Sequence, residues 1–203
     1  MNFSDFFSHI QEAPWYRQFL NPVIDEINDQ TKLLDVGTGT GKLLEILSKE
    51  KNVSSFGIDT SQSMLEEAKK KLNNTNAQLH KIDANENFPF DNNSFDYVTI
   101  CNVLFNLERN ATDHILKETL KVLKDDGRII VLTPTGKGNL ISLTKGYLSL
   151  KNLSIYIWFF ATKNRAGSWG KEKYLLEFSI NNNLKYEQKL ILNKFAQVEI
   201  LYK

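Results

Sequence analysis

The sequence predicts an α/β protein with a doubly wound, mostly parallel seven-stranded sheet that ends in an antiparallel C-terminal edge hairpin. Three observations carry this prediction. Short apolar runs alternate with segments of helical period from residue 32 to residue 134, which is typical of right-handed βαβ crossovers. A glycine-rich turn follows the first apolar run and opens a helix. Near the C-terminus, the strand-like runs 184–192 and 195–203 are separated by only Asn193 and Lys194, and so short a link forces an antiparallel pair.

The first elements each have a sequence signature. "KLLDV" (32–36) is a short apolar run, and "GKLLEILSKE" (41–50) carries apolar residues at helical spacing. "VSSFGID" (53–59) is predicted as the second strand. "SQSMLEEAKKKL" (61–72) is predicted as a helix, because Ser61 suits an N-cap and the lysines near its end favour the helix dipole.

The later elements continue the alternation. "AQLHKID" (77–83) and the strongly apolar "SFDYVTICNVL" (94–104) are predicted as the third and fourth strands. "ATDHILKETLKVLKDDG" (111–127) is predicted as a helix that its last glycine ends, and "RIIVLTP" (128–134) as a fifth strand that its proline closes. A further helix is predicted over 171–183, before the C-terminal hairpin.

Length and composition narrow the possible functions. The 203 residues predict a single domain, and 25 Lys and Arg against 24 Asp and Glu predict no nucleic-acid partner. One cysteine cannot form an internal disulfide, so we expect a cytoplasmic protein. Three scattered histidines give no zinc spacing, and no metal is expected. The longest apolar run, 155–161, is too short for stable membrane insertion.

The glycine-rich turn "VGTGTGK" points to a nucleotide-type ligand. Glycines let the backbone approach a ligand closely, and free N–H groups at a helix start favour an anionic or polar partner. Dinucleotide-binding proteins use G-x-G-x-x-G at this place, whereas Gly37, Gly39 and Gly41 follow G-x-G-x-G, with Lys42 at the third dinucleotide glycine. Asp59, at the end of the second strand, is placed to accept hydrogen bonds from both hydroxyls of an adenosine ribose. These features predict an adenosine cofactor and leave a dinucleotide open.

Four motifs in register narrow this choice. They are "LLDVGTGTG", "GIDTSQSMLEEAKKKL", the connector "FPFDNNSFD" and "LKETLKVLKDDGRIIVLTP". With them, residues 30–135 closely resemble the class I S-adenosylmethionine-dependent methyltransferases, specifically the small ubiquinone/menaquinone-methyltransferase-like type. The resemblance implies a Rossmann-like methyltransferase fold and S-adenosyl-L-methionine as the cofactor.

The resemblance also implies a set of cofactor-binding residues. They are Asp35, Gly37, Thr38, Gly39, Gly41, Asp59, Thr60, Met64, Asp83, Ala84, Cys101 and Asn102. In this set, Asp35 and the loop would surround the methionine part of the cofactor, Asp59 would bind the ribose, and Asp83 would meet the amino edge of the adenine. The backbone carbonyls of Cys101 and Asn102 would approach the methionine amino group.

The implied reaction is methyl transfer to a small molecule by in-line displacement, which depends on alignment and on exclusion of water. Many relatives carry histidines after the fourth strand where this chain has Phe105 and Asn106, so no catalytic residue is assigned. An N-terminal helical cover (1–30) and a helical lid (about 135–170) are expected to build an acceptor pocket. The aromatic content of the lid predicts an apolar or aromatic acceptor. The acceptor-binding candidates are Tyr16, Phe105, Asn106 and Tyr147.

Two other functions stay open at this point. A nicotinamide-dependent reductase would need a pyrophosphate seat, which Lys42 makes awkward. A non-catalytic S-adenosylmethionine-binding module would account for the missing histidines and for the apolar run "IYIWFF". We expect a monomer or a homodimer.

Overall fold

The computed structural model of the protein describes residues 10–138, 140–147 and 149–203. The strands in these ranges are β1 (Thr31–Val36), β2 (Val53–Asp59), β3 (Gln78–Lys81), β4 (Phe95–Cys101), β5 (Leu123–Pro134), β6 (Lys185–Ile191) and β7 (Ala196–Tyr202). They form a seven-stranded sheet in the order β3-β2-β1-β4-β5-β7-β6. The pairs among β1 to β5 are parallel, and β7 is antiparallel to both β5 and β6. The predicted fold class is confirmed.

Helices cover both faces of the sheet. They are α1 (Pro14–Glu26), α2 (Lys42–Glu50), α3 (Gln62–Lys71), α4 (Arg109–Val122), α5 (Leu140–Tyr147), α6 (Ser154–Glu172) and α7 (Tyr174–Asn181). None of the described helices combines the length and apolarity needed to cross a membrane.

The strand register brings the carboxyl ends of β1, β2 and β4 to one place. Asp35 of β1 pairs with Gly57 of β2 on one side and with Thr99 of β4 on the other. The order of the strands reverses between β1 and β4. In open α/β sheets, ligands bind at the carboxyl ends of the strands where this reversal occurs.

Two apolar clusters pack on the sheet. The first contains the fully buried Trp15 and Phe19 of α1 and also Trp158 of α6, while the second contains Leu116 of α4 and Trp169 of α6. Helix α6 therefore contributes to both clusters. It also packs on β5.

The long excursion between β5 and β6 starts beside the C-terminal hairpin. The N–H of Thr135 donates to the carbonyl of Phe195 (2.9 Å), and its hydroxyl donates to the carbonyl of Lys194 (2.6 Å). Gly136 follows with φ +66°, and a Cβ there would lie 2.3 Å from the Lys163 carbonyl of α6. This first turn of the excursion is thus held against both the hairpin and α6.

The helix predicted over 111–127 corresponds to α4, and its predicted end at residue 127 is wrong. Helix α4 ends at Val122, and the next residue, Leu123, already pairs with Phe95 of β4. The register then shifts before Arg128 pairs with Tyr97. A Cβ on Gly127 would lie 2.8 Å from Leu123 Cδ1, so this glycine allows the strand irregularity rather than ending a helix.

Two other boundaries also differ from the prediction. The hairpin link runs from Leu192 to Phe195, because Ile191 pairs with Ala196; three of its residues have left-handed φ values between 47° and 72°. The predicted helix 171–183 is divided between α6 and α7 at Lys173, whose φ is 49°. The antiparallel pairing itself is as predicted.

Candidate cofactor site

The turn after β1 has three glycines with left-handed backbone. The φ angles of Gly37, Gly39 and Gly41 are +72°, +56° and +76°. The N–H groups of Gly37 and Thr38 donate to the carbonyl of Ile58, at 2.8 and 3.0 Å, and so attach the turn to the end of β2. L-residues with side chains rarely adopt such φ values, which explains the residue type at all three positions.

The three glycines face different surroundings. A Cβ on Gly37 would lie 2.5 Å from Val103 Cγ2, and one on Gly41 would lie 2.9 Å from Leu72 Cδ1. A Cβ on Gly39 would meet only Gln11 Nε2, at 3.8 Å. Gly37 and Gly41 therefore permit close packing, whereas Gly39 leaves open space above the turn.

That space is a cavity of about 250 Å³, which we name the first cavity. Nine of the predicted residues line it: Tyr16, Asp35, Gly37, Thr38, Gly39, Asp59, Met64, Cys101 and Asn102. The remaining lining residues are Gln11, Leu20, Lys42, Leu43, Ser61 and Val103. These six residues were not predicted as site residues; three of them, Lys42, Ser61 and Val103, each directly follow a predicted one.

A second cavity, of about 270 Å³, adjoins the first. Both cavities are lined by Gly37, Asp59, Asn102 and Val103. The second cavity adds the predicted residues Thr60 and Asn106, and it is otherwise apolar, with Val36, Ile58, Ile82, Leu107 and Ile115. The pair of cavities forms a cleft that is polar at one end and apolar at the other.

Asp59 lies at the junction of the two cavities. Its Oδ2 accepts a hydrogen bond from the N–H of Gly39 (2.8 Å), and its Oδ1 accepts one from the N–H of Ser61 (2.8 Å). The carboxylate thus fixes the glycine turn relative to the end of β2. Ser61, rather than Asp59, is the N-cap of α3, with its Oγ accepting from the N–H of Met64.

Asp35 lies at the floor of the first cavity. Its carboxylate is almost completely buried and accepts a hydrogen bond from the Thr99 hydroxyl (2.8 Å). Burial raises the pKa of Asp35 to about 6, although the hydrogen bond from Thr99 opposes this shift. A cation bound in the cavity would favour the ionised form.

The side-chain oxygen of Asn102 receives no hydrogen bond from the described residues. It follows β4 with φ +63°, its N–H donates to the Leu132 carbonyl (2.7 Å), and its own carbonyl accepts from Asn106 Nδ2 (3.2 Å). The Oδ1 atom of Asn102 is buried and has no hydrogen-bond partner among the described residues. A buried oxygen of this kind is costly unless a ligand supplies a donor.

The N-terminal segment closes the first cavity from above. Gln11 is buried, accepts a hydrogen bond from the Thr40 hydroxyl and donates from Nε2 to the Tyr16 hydroxyl (3.3 Å). Glu12 forms ion pairs with Lys42 (2.5 Å) and Lys71 (2.8 Å). Gln11, Tyr16 and Leu20 thus line the first cavity, and the role of residues 1–30 as a cover stays a prediction; residues 1–9 lie outside the described ranges.

Two titratable groups on the wall are held neutral by their surroundings. Burial raises the pKa of the Tyr16 hydroxyl, and burial likewise raises the pKa of the Cys101 thiol well above its usual value. Neither group is thus a ready anion at neutral pH.

Five predicted site residues lie outside both cavities: Gly41, Asp83, Ala84, Phe105 and Tyr147. Asp83 and Ala84 are exposed, and Asp83 forms an ion pair with Lys81. Ile82, one residue earlier, lines the second cavity in their place. Phe105 lines a separate cavity with Trp169, and Tyr147 is buried in the first apolar cluster. Among the described residues, no three His, Cys, Asp or Glu side chains are grouped so that they could hold a metal ion.

Comparison with known proteins agrees with this geometry. Residues 33–127 match the family model described as "Methyltransferase domain". Demethylmenaquinone methyltransferases of Staphylococcus aureus, for example from strains JH9 and Newman, are 39% identical over 127 residues, which are 60% of this chain and 50% of theirs. The chain thus spans about half the length of these curated relatives.

Solved structures share the fold over nearly the whole chain. A putative S-adenosyl-L-methionine-dependent methyltransferase from Methanococcus maripaludis superposes with a TM-score of 0.74 at 20% identity, covering 98% of this chain and 91% of its own. An S-adenosylmethionine-dependent methyltransferase from Aquifex aeolicus gives a TM-score of 0.68 at 18% identity, covering 96% of each chain.

Proposed function

We propose that this chain is a class I S-adenosylmethionine-dependent methyltransferase that transfers a methyl group to a small, apolar or aromatic acceptor; the match of residues 33–127 to the methyltransferase domain model supports this. The observation that carries this proposal is the acidic cleft at the carboxyl ends of β1, β2 and β4. Asp35 and Asp59 line it, together with the unpartnered Oδ1 of Asn102. These acceptors suit a ligand that is cationic and rich in hydrogen-bond donors.

The cleft residues fit S-adenosylmethionine part by part. Asp59 would accept from the ribose hydroxyls, because each of its oxygens has a further lone pair beyond the backbone bond already made. Asp35 and the Oδ1 of Asn102 would hold the amino acid ammonium. The apolar second cavity, between Ile82 and Val103, would hold the adenine.

The same contacts disfavour a nicotinamide dinucleotide. A diphosphate at the glycine turn would need free backbone donors, but the N–H of Gly39 is already bound to Asp59. The Nζ atom of Lys42 is engaged with Glu12 and Glu45 rather than with the cleft. The two carboxylates would also repel a diphosphate.

The bound cofactor would supply an activated methyl group on a positively charged sulfur. The chain's own contribution is to align the acceptor and to keep water out, which in favourable cases accounts for ~7–11 kcal/mol of the barrier. Leu20, Leu43 and Val103 form an apolar wall for this purpose. Within the described residues, neither cavity lining contains a histidine, so the acceptor would have to react without an imidazole base.

The relatives named as demethylmenaquinone methyltransferases suggest which acceptor to test first. A quinol with an apolar side chain is both aromatic and apolar, as the proposal requires. Because the chain spans only half of those relatives, this acceptor belongs to the proposal and is the first member of a panel.

Calorimetric titration separates the cofactor classes. We expect S-adenosylmethionine and S-adenosylhomocysteine to bind with micromolar or tighter affinity, and NADH and NADPH not to bind. Binding of a nicotinamide in preference to the methyl donor would overturn the proposal.

Turnover separates an enzyme from a cofactor-binding module. Formation of S-adenosylhomocysteine is followed with a panel of phenols, quinols and aliphatic amines, with the Asp35→Asn variant as a cofactor-site control. Methylation of an apolar or aromatic member, reduced in the control, supports the proposal. Tight cofactor binding without turnover on any acceptor would favour the non-catalytic module.

A further inference from the structure

The excursion between β5 and β6 carries most of the exposed apolar surface. Of the eight large apolar residues exposed in the described part of the chain, five lie between Ile141 and Phe160. Leu150 exposes 87% of its surface, and Leu153, Ile157 and Phe160 expose 53%, 50% and 59%. We name these last four residues the apolar patch.

The spacing of the patch places it on one side of α6. Leu153, Ile157 and Phe160 follow one another at intervals of four and three residues, so they share a helix face. The opposite face is buried, with Ile155, Trp158 and Phe159. Helix α6 is therefore apolar on both sides, although only one side is needed to attach it to the sheet.

The neighbouring helix extends the same surface. The Tyr156 hydroxyl donates to the Thr144 hydroxyl of α5 (3.3 Å). Ile141, one turn before Thr144 on α5, is 69% exposed. Exposed apolar side chains thus come from α5 as well as from α6, so they form a larger surface than singly scattered residues would.

Charge distinguishes this surface from the rest of the molecule. Residues 135–171 contain six Lys and Arg and no Asp or Glu, although the whole chain has 25 and 24. Lys151 lies within the apolar patch, between Leu150 and Leu153, and Lys163 follows Phe160 by three residues. Both lysines are exposed.

We propose that the apolar patch docks the protein on an anionic phospholipid surface. Apolar side chains enter the interfacial region of a bilayer while lysines contact the anionic headgroups, and this combination binds reversibly without spanning the membrane. The absence of acidic residues over 135–171 matches a negative lipid surface. It disfavours a second copy of the chain, because two copies meeting through this patch would bring like charges together.

Vesicle flotation with the full chain tests this proposal. Vesicles of phosphatidylcholine alone are compared with vesicles that also contain phosphatidylglycerol. We expect at least tenfold tighter binding to the anionic vesicles, weakening as salt is raised.

Three variants locate the contact. Ile157→Ser should weaken vesicle binding about tenfold, and Lys151→Ala about fivefold. Ile180→Ser is the matched control, because Ile180 is 66% exposed on α7, outside the patch; its binding should be unchanged. Urea unfolding, with a midpoint expected to be unchanged in all three, shows that each variant is folded and keeps this test independent of the proposed function.

Several results would overturn the lipid proposal. They are equal binding to neutral and anionic vesicles, no loss of binding in Ile157→Ser and Lys151→Ala, or an equal loss in Ile180→Ser. A homodimer in sedimentation analysis that Ile157→Ser dissociates would show that the patch is instead a contact between copies.

Discussion

Asp59→Asn is the substitution that tests the cleft most directly. The carboxylate accepts two backbone hydrogen bonds of 2.8 Å, from Gly39 and from Ser61. An asparagine keeps one acceptor oxygen and turns an NH₂ group toward the other N–H. One charge-assisted bond, worth about 1.5–3 kcal/mol, is therefore lost. Because Asp59 is only partly buried, we expect the lower part of this range, about 2 kcal/mol, in the free energy of unfolding.

The same substitution should also weaken cofactor binding. Loss of the charged acceptor for the ribose hydroxyls should raise the Kd for S-adenosylhomocysteine by about 10- to 100-fold. Ligand at 1,000 times the wild-type Kd stabilises the wild type by about 4.1 kcal/mol and a tenfold weaker variant by about 2.7 kcal/mol. Urea unfolding with and without the ligand measures both effects in one experiment.

The two effects distinguish two roles of Asp59. Asp91→Asn is the control, because Asp91 is an exposed carboxylate away from both cavities, and it should behave as wild type. If Asp59→Asn lowers stability but keeps wild-type affinity, Asp59 only supports the turn and the ribose assignment is wrong. If neither quantity changes, the reasoning from these hydrogen bonds fails altogether.

Three further predictions concern the glycine turn, the buried carboxylate and the cover. Gly39→Ala should lower the free energy of unfolding by about 1–2 kcal/mol because of its left-handed φ, and it should weaken cofactor binding because the new Cβ fills the open space. Gly167→Ala in α6, where a Cβ meets nothing within 4 Å, should instead raise the free energy of unfolding by about 0.5–1 kcal/mol. Urea titrations of both variants measure this contrast. The affinity for S-adenosylmethionine should be about tenfold weaker at pH 5 than at pH 8, because Asp35 takes up a proton below its pKa of about 6. Calorimetry measures this difference, and the Asp35→Asn variant, whose affinity should not change between these pH values, is the control. Glu12→Gln should speed cofactor dissociation about two- to tenfold, because it removes the charge from the ion pairs with Lys42 and Lys71. An unchanged dissociation rate in stopped-flow exchange would show that the N-terminal segment does not limit release.

The central sheet and most of the cleft follow from local sequence. Two features are local patterns: the apolar run before Gly37 and the position of Asp59 at the end of β2. Parallel pairing of β1 with β2 then brings the ends of both strands together. This is why nine predicted residues line the first cavity.

The rest depends on contacts between distant residues. Gln11 reaches the site only because α1 packs on the sheet through Trp15 and Phe19. Val122 ends α4 because Leu123 finds a partner in Phe95, which no local signal announces, since Gly127 resembles a helix stop. Strand β3 ends at Lys81; Ile82 lines the second cavity, whereas Asp83, one residue later, is exposed.

The two hydrogen bonds from Thr135 to the hairpin link have an evolutionary consequence. The excursion leaves β5 and rejoins the sheet at β6, and its departure point is held by hydrogen bonds from Thr135 to the carbonyls of Lys194 and Phe195 in the hairpin link. Exposed parts of the excursion can then change in length or sequence while the buried face of α6 keeps its packing and the strand ends that carry Asp35 and Asp59 stay in register. If the proposed cofactor site is correct, chimeras that exchange the exposed parts of the segment between 135 and 184 should change acceptor choice and leave cofactor affinity unaltered.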